Sequence, residues 1–167
     1  MQIQDLSLLY AYNYWATGRI LGAAAQVSLE QFLASARFSF GSLRATLAHT
    51  LDTEYSWRMR CQHNALTADM AEVEFPTFDL LERRWHEEEA AMRAYLSALQ
   101  DEDLISVVRY TTDSGEQRER VLWHCLVHVV NHGTQHRSEA AAMLTEYGQS
   151  PGDLDFTVFL NQRRRSD

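Results

Sequence analysis

The chain has 167 residues, 46% hydrophobic and 11% aromatic, which is long enough for one domain with a sizeable core, and we expect a single domain over residues 1–167. Its formal net charge of −8 argues against a nucleic-acid partner, because such binding depends on clustered Lys and Arg, and the only basic cluster is Arg163 to Arg165 beside the C-terminus. The sequence shows neither a membrane span nor a signal peptide. The two cysteines, Cys61 and Cys125, fit reduced thiols. We therefore expect a soluble, cytoplasmic protein without a membrane partner.

Three amphipathic helices are predicted in the first 100 residues. Apolar residues at three- and four-residue steps predict one helix over about residues 5–25 and a second over residues 41–61. Pro76 and the cap candidate Thr77 precede the third, whose apolar stripe continues to about Gln100. Each helix has one apolar face and therefore needs a partner.

A short hairpin and a last long helix follow. Residues 105–110 are β-branched and apolar, TTDSGEQ supplies turn residues, and a second short segment runs up to Val121, which together predict a β-hairpin. The last helix is predicted over residues 121–147, with Gly148 as its C′ residue and Pro151 three residues beyond. The fold class is therefore all-α: a four-helix bundle with a short hairpin before the last long helix.

Histidines recur at every fourth position of HCLVHVVNHGTQHR in the last helix: His124, His128, His132 and His136. Neighbours in this row are roughly 5–6 Å apart at Cβ, but its two ends are about 18 Å apart, so all four cannot hold one ion. Each four-residue step turns the row by about 40°, which leaves His132 and His136 beside the apolar face and turns the other two away. This pair is open to two interpretations, metal ligands or half-buried histidines with ordinary hydrogen-bond partners.

A catalytic ion in a tetrahedral site usually takes three protein ligands, so a third histidine from another helix is needed. His86 lies in the charged stretch RRWHEEEA and His63 lies past the predicted end of its helix, so both are interpreted as surface residues. His49 is in the middle of the second helix, on a side that carries small residues rather than leucines. Small neighbours suit a ligand site and an ordinary helix contact equally, so the spacing leaves the role of His49 open.

Four segments carry a resemblance to a known family: YNYWATGRIL, LAHTLDTEYSW, HVVNHGTQHR and SPGDLDFTVFL, in this order. Together they resemble the DinB/YfiT-like family of metalloenzymes. The resemblance implies a four-helix bundle in which one histidine of the second helix and an HxxxH pair on the fourth hold a divalent metal. Carried over to this sequence by motif, the ligands are His49, His132 and His136.

Glu139 stands where the sequence departs from the family pattern. Many members have His-His-Arg-Gly-Gln where this chain has Gln135 to Glu139. Glu139 lies one turn beyond His136 and is the candidate catalytic residue, because it could orient a ligand, act as a general base or approach the metal. The alternative is a rim carboxylate paired with a neighbouring arginine. Cys125 is about 10 Å along the helix from His132 and is expected to be a buried structural thiol.

A site of three neutral imidazoles leaves the ion its full positive charge, so a bound water or thiol is acidified. The resemblance implies two chemistries: S-transfer from a low-molecular-weight thiol such as bacillithiol, mycothiol or glutathione, and metal-dependent hydrolysis. We favour S-transfer to a small-molecule substrate. A non-catalytic, metal-stabilised binding protein is the remaining alternative, and it predicts a closed shell with Glu139 as fourth ligand.

The sequence says less about the identity of the metal and about the oligomeric state. Three imidazoles suit several first-row ions, with Zn²⁺ and Ni²⁺ as the leading candidates. The resemblance also implies a homodimer formed through helix faces.

Overall fold

The computed structural model describes residues 1–112 and 114–164, and in this part of the chain four long helices form a bundle. The helices are α1 (Ile3–Ala24), α2 (Leu29–Leu33), α3 (Leu43–His63), α4 (Phe78–Ala98), α5 (Leu122–Glu146) and α6 (Phe156–Arg163). Short 3₁₀ turns lie at Glu72–Glu74 and Asp101–Ile105. α5 packs against α1 and α3, and α4 packs against the same two helices, which closes the ring. The predicted all-α bundle is confirmed.

The hairpin before the last long helix is also confirmed. β1 (Val107–Thr111) pairs antiparallel with β2 (Gln117–Val121), with Val107 opposite Val121. Asp113 of the predicted turn lies outside the described residues, as does Arg165 of the basic cluster.

The helix ends follow the capping signals in the sequence. Ser42 precedes α3, and its side chain accepts a hydrogen bond from the backbone N–H of Ala45. Gly148 adopts a φ of +78° just after α5, so the prediction that it is the C′ residue is confirmed. Thr77 is the N-cap of α4, as predicted, but its side chain makes no capping hydrogen bond.

Polar side chains lie in the buried middle of the bundle, between two hydrophobic clusters at its opposite ends. The members of this polar layer are Asn13, Tyr14 and Thr17 of α1, Glu54 and Arg58 of α3, Glu88 of α4, and His136 and Arg137 of α5. Among the described residues, no helix combines the length and the apolar composition of a membrane span.

Hydrogen bonds within the polar layer connect three of the motifs noted above. Tyr14 Oη donates to Glu54 Oε1 over 2.5 Å, and Asn13 Nδ2 donates to Glu54 Oε2 over 3.3 Å. Arg137 Nη1 donates to Asn13 Oδ1 over 2.5 Å. Buried polar groups are costly unless they are hydrogen-bonded, so these contacts hold α1, α3 and α5 in one arrangement.

Glu54 makes the stability of the polar layer depend on pH. Burial raises the pKa of Glu54 from 4.5 to about 7, although the hydrogen bond from Tyr14 lowers it. In the native state the carboxyl group of Glu54 therefore stays protonated over a pH range in which it is already ionised in the unfolded chain. Because the native state binds more protons there, this contribution to the free energy of unfolding is present below about pH 4.5 and falls by on the order of 3 kcal/mol as the pH rises to about 7.

A comparison of the wild type with Glu54→Gln tests this effect. We expect the free energy of unfolding of the wild type, minus that of the variant, to fall between pH 4.5 and about 7 and to stay level above that range. Urea unfolding at a series of pH values measures the difference, and the subtraction removes the titration of the histidines. A difference independent of pH would contradict the raised pKa.

Gly133 of α5 lies against the polar layer. A Cβ atom added there would be 2.7 Å from Arg137 Nη1 and 3.1 Å from Asn13 Oδ1, and neither group can move without losing a buried hydrogen bond. Overpacking of this kind costs about 1–3 kcal/mol, whereas the gain in helix propensity is at most about 1 kcal/mol. We expect Gly133→Ala to lower the free energy of unfolding in urea. The control is Gly18→Ala, since nothing lies within 4 Å of a Cβ on Gly18, and it should stabilise the protein slightly.

The segment SPGDLDFTVFL returns the chain across α1. Arg19 Nε donates to the carbonyl oxygen of Pro151 over 2.9 Å, and Tyr12 Oη donates to that of Leu154 over 3.0 Å. The helix that follows, α6, then packs on α1. This docking gives the aromatic residues of the first motif a structural role.

Candidate metal centre

Three histidines from two helices converge in the bundle. His49 extends from α3, and His132 and His136 extend from α5. The Nε2 atom of His132 is 3.1 Å from that of His49 and 3.2 Å from that of His136, and the three ligand atoms all lie within 4.8 Å of one another. His136 is buried, and the other two are half-buried. The cluster could hold a metal ion, and it consists of the three residues named from the sequence.

Small residues around His49 allow α5 to approach α3 closely. Ala45, Thr46 and Thr53 lie one turn away from His49 on α3, and all three are buried. α3 packs against α5 where His49 meets His132, and Ala45 lines a cavity beside the cluster, so the small-residue side serves both interpretations left open above.

The donor set fits a divalent cation. Bonds of 2.0–2.1 Å to a tetrahedral ion would place two ligand nitrogens about 3.3 Å apart, close to the contacts in the cluster. The Nε2 atom of His132 has one in-plane proton or one lone pair, so it can form only one well-aligned hydrogen bond. It nevertheless faces two nitrogens, those of His49 and His136. A cation between the rings would satisfy all three lone pairs.

Burial keeps two of the rings neutral. Burial, with a contribution from the His136 ring, lowers the pKa of His132 from 6.5 to about 3 and that of His49 to about 4. A proton therefore competes weakly for these nitrogens near neutral pH, and their lone pairs are available to a metal.

Glu139 lies on the far side of the His136 ring from the cluster. Its Oε2 atom is 2.8 Å from His136 Nδ1, and its Oε1 atom accepts a hydrogen bond from Ser39 Oγ over 2.9 Å. With Nδ1–H donating to the carboxylate, the Nε2 lone pair of His136 points into the cluster. Of the roles considered for Glu139, this geometry matches the orientation of a ligand, and its observed partners are His136 and Ser39 rather than an arginine.

The loop between α2 and α3 covers the cluster. The Phe40 ring stacks on His49 with centroids 3.8 Å apart and meets His136 edge-on at 5.2 Å. A bridge between Ser35 and Ser42 closes the loop. The sequence pattern indicates no role for Ser39 or Phe40, because a loop has no periodicity; the only signal is an aromatic residue close to a helix N-cap.

The other histidines lie apart from the donor cluster. His63, His86 and His124 are exposed, as expected from the sequence, but His63 is the last residue of α3 and does not lie beyond the end of the helix. His128 packs edge-on against Trp57, and its ring centroid is 5.7 Å from that of His132, but it is not among the three clustered donors.

A cavity of about 300 Å³ borders the cluster on the His49 side. The residues that line it include Phe40, His49, Asp52, Asp69, Met70 and Glu72. Its acidic lining favours a ligand that presents a positive charge or hydrogen-bond donors. The cavity is large enough for a small ligand beside the donor nitrogens.

We expect Glu139→Ala to weaken metal binding by about 10–100-fold, since loss of a carboxylate that orients a ligand histidine typically has an effect of this size. Glu146→Ala is the control, because Glu146 is an exposed carboxylate on the same helix. Competition with a chromophoric chelator measures both affinities. Equal affinities for the two variants would show that the contact between Glu139 and His136 does not contribute.

Comparisons with known proteins agree with the fold. The sequence profile of the DinB family matches residues 1–165. The chain is similar to Protein DinB of Bacillus subtilis (strain 168), with 26% identity over 157 residues and 91% of each chain covered. Its fold is similar to the crystal structure of a conserved protein from Enterococcus faecalis, with a TM-score of 0.56, 15% identity, and 83% of this chain and 94% of that chain covered. The match over nearly the whole sequence, on a helical bundle with a three-histidine cluster, shows that the chain belongs to the DinB family.

Proposed function

We propose that the protein is a metal-dependent enzyme that activates a low-molecular-weight thiol for S-transfer, with His49, His132 and His136 as the metal ligands. The observation that carries the proposal is the convergence of three imidazole nitrogens next to a cavity. Three protein ligands with room for a further one are typical of a catalytic ion, whereas a structural ion has four. Glu139, the candidate fourth ligand, contacts the outer nitrogen of His136 and Ser39 instead.

The residues around the cluster have distinct roles in this proposal. A divalent ion held by three neutral imidazoles lowers the pKa of a thiol or a water that binds to it. Glu139 is a positioning residue that fixes the His136 ring, and Phe40 excludes water from one side of His49. The adjacent cavity receives the thiol, with its acidic lining facing the ammonium, hydroxyl or amide donors of that thiol. The thiol sulfur attacks an electrophilic carbon of the second substrate and displaces its leaving group.

Zinc and nickel are the proposed ions. Both accept imidazole nitrogen, and cellular availability often decides between first-row metals. Elemental analysis of protein purified without a histidine tag identifies the ion.

A screen of thiols tests the proposed reaction. Metal-loaded protein is mixed with a chlorinated bimane dye and, in turn, with bacillithiol, mycothiol, glutathione or cysteine. We expect conjugation to be faster than with the same thiol and free metal for at least one thiol, and we expect His132→Ala to lose this acceleration. No acceleration by any thiol would contradict S-transfer.

The same preparation separates the two alternatives. Hydrolysis of an activated ester without added thiol, lost in His132→Ala, would indicate a hydrolase that uses metal-bound water. Full metal content with neither activity would indicate a non-catalytic metal-binding protein.

We also propose that the protein forms a homodimer. The family resemblance supports it, as do the exposed apolar side chains of Ile105, just before the hairpin, and Val107, at the start of β1. Sedimentation velocity tests the proposal, and a monomer at micromolar concentration would contradict it.

A further inference from the structure

The two cysteines meet in the fold. Cys61 lies in the last turn of α3, and Cys125 lies in the first turn of α5. Both side chains belong to the same hydrophobic cluster, and about one turn away along the two helices Trp57 of α3 packs edge-on against His128 of α5. Their separation in sequence gives no sign of this contact, which depends on the antiparallel packing of α3 against α5.

A separate cavity of about 370 Å³ opens onto Cys125. It lies between α3, the hairpin and α5, and its lining residues are Trp57, Tyr110, Arg120, His124, Cys125 and His128. The cavity borders Cys125, although the residue as a whole is only 2% exposed, and Cys61 is half-buried. The donor histidines of the metal cluster are not among its lining residues.

The surroundings make the two thiols unequal. The hydrogen bond from the Cys61 thiol and the positive charge of Arg120 lower the pKa of Cys125, against the effect of burial. The hydrogen bond with Cys125, together with burial, raises the pKa of Cys61. The thiolate is the reactive form of cysteine, and Cys125 lines the cavity whereas Cys61 is not among its lining residues, so Cys125 is the nucleophile and Cys61 is the resolving thiol.

The lining of the cavity indicates the kind of reagent it admits. Trp57 and Tyr110 meet edge-on with centroids 5.1 Å apart, and they offer aromatic surface to an organic chain. Arg120 uses Nη1 to donate to the backbone carbonyl of Glu119 and brings a positive charge to the cavity. A guanidinium group binds carboxylates well, so an anionic organic reagent fits this cavity.

We propose that Cys125 and Cys61 form a thiol–disulfide exchange site whose substrate is a low-molecular-weight disulfide that carries carboxylates. The Cys125 thiolate attacks one sulfur of the substrate, forming a mixed disulfide and releasing the other half as a thiolate, which takes up a proton. Cys61 then gives up its proton, and its sulfur attacks the Cys125 sulfur and releases the second thiol. The cysteine pair is oxidised by two electrons, and the substrate disulfide is reduced to two thiols.

The product disulfide would join α3 and α5, the two helices that carry the donor histidines. Oxidation of the exchange site by the surrounding disulfides would therefore cross-link the two helices that form the metal cluster. It does not depend on the proposed S-transfer, because it uses neither the metal cluster nor the cavity beside His49.

The test treats the folded full-length protein with oxidised glutathione without oxygen. We expect the wild type to lose the mass of two hydrogen atoms and to give a peptide linked through Cys61 and Cys125. Cys61→Ser should accumulate one glutathione on Cys125, and Cys125→Ser should remain unmodified. Wild-type protein that stays reduced, or Cys125→Ser that reacts as fast as Cys61→Ser, would overturn the proposal.

The role of Arg120 is tested in the Cys61→Ser background, where the first step is isolated. Arg120→Gln should slow the reaction with oxidised glutathione. The expected effect is roughly threefold for each unit by which the pKa of Cys125 rises, and it is larger if the carboxylates of glutathione bind Arg120. Cystamine, a cationic disulfide, should be slowed less. Arg118→Gln is the control, since Arg118 is on the same strand but pairs with Glu116. Equal rates for the two arginine variants would overturn the assignment of an anionic substrate.

Discussion

Replacement of His49, His132 or His136 by alanine is expected to abolish stoichiometric metal binding, whereas His124→Ala should bind metal like the wild type. Each of the three residues supplies one of the clustered donor nitrogens, and His124 is exposed on the same helix as two of them. Loss of a group that merely orients a ligand weakens binding by about 10–100-fold, so loss of a ligand should exceed about 100-fold. Elemental analysis of dialysed, untagged protein measures the result, and a full equivalent of metal in any of the three variants would refute the ligand assignment.

Thermal unfolding separates lost binding from lost structure. A ligand that binds only the native state stabilises it by about 2.7 kcal/mol when its concentration is 100 times Kd. A chelator should therefore lower the Tm of the wild type and of His124→Ala and leave the Tm of the three ligand variants unchanged. A chelator-dependent Tm in His132→Ala would show that metal still binds there.

Glu88→Ala is expected to lower the free energy of unfolding by about 3–5 kcal/mol, because it leaves a buried guanidinium without its counter-charge. Glu88 is 1% exposed and binds Arg58 through both oxygens, at 2.5 Å from Nε and 2.9 Å from Nη2. Arg84 approaches the same carboxylate at 3.7 Å. Urea unfolding in the presence of chelator measures the loss independently of the metal.

The adjacent residue provides a matched control for Glu88→Ala. Glu89 pairs with Arg93 on the surface of the same helix, and exposed pairs at this spacing contribute about 0.3–0.5 kcal/mol. Glu89→Ala should therefore be nearly neutral. The double variant Arg58→Met with Glu88→Leu should recover much of the stability, because it removes both buried charges. Equal losses in Glu88→Ala and Glu89→Ala would contradict the role assigned to the buried pair.

The long helices were open to prediction because their apolar periodicity and end signals act locally. The stripe that follows Thr77, the C′ glycine at position 148 and the turn residues before Val121 each lie within a few residues of the element that they define. The pair His132 and His136 was also accessible, since the rotation of a helix per residue places both beside the core. These features depend on spacing along one helix.

Features that depend on two distant segments were not accessible in the same way. The five residues of α2 and the eight of α6 are too few for a clear period. His49 lies among small residues that suit any close contact, so only the family resemblance selected it. Ser39 and Phe40 reach the cluster from a loop, and the contact between Cys61 and Cys125 depends on helix packing.

The polar layer also fixes the heights at which the helices meet. A slide of one helix by a turn, about 5.4 Å, would carry Glu54, Glu88 or Arg137 past its partner and leave it buried without a hydrogen bond. Apolar contacts alone would tolerate such a shift far better, since leucines at successive turns are nearly equivalent. The alignment that brings His49 level with the two histidines of α5 is thus set by Glu54, Glu88 and Arg137, none of which is among the three clustered donors.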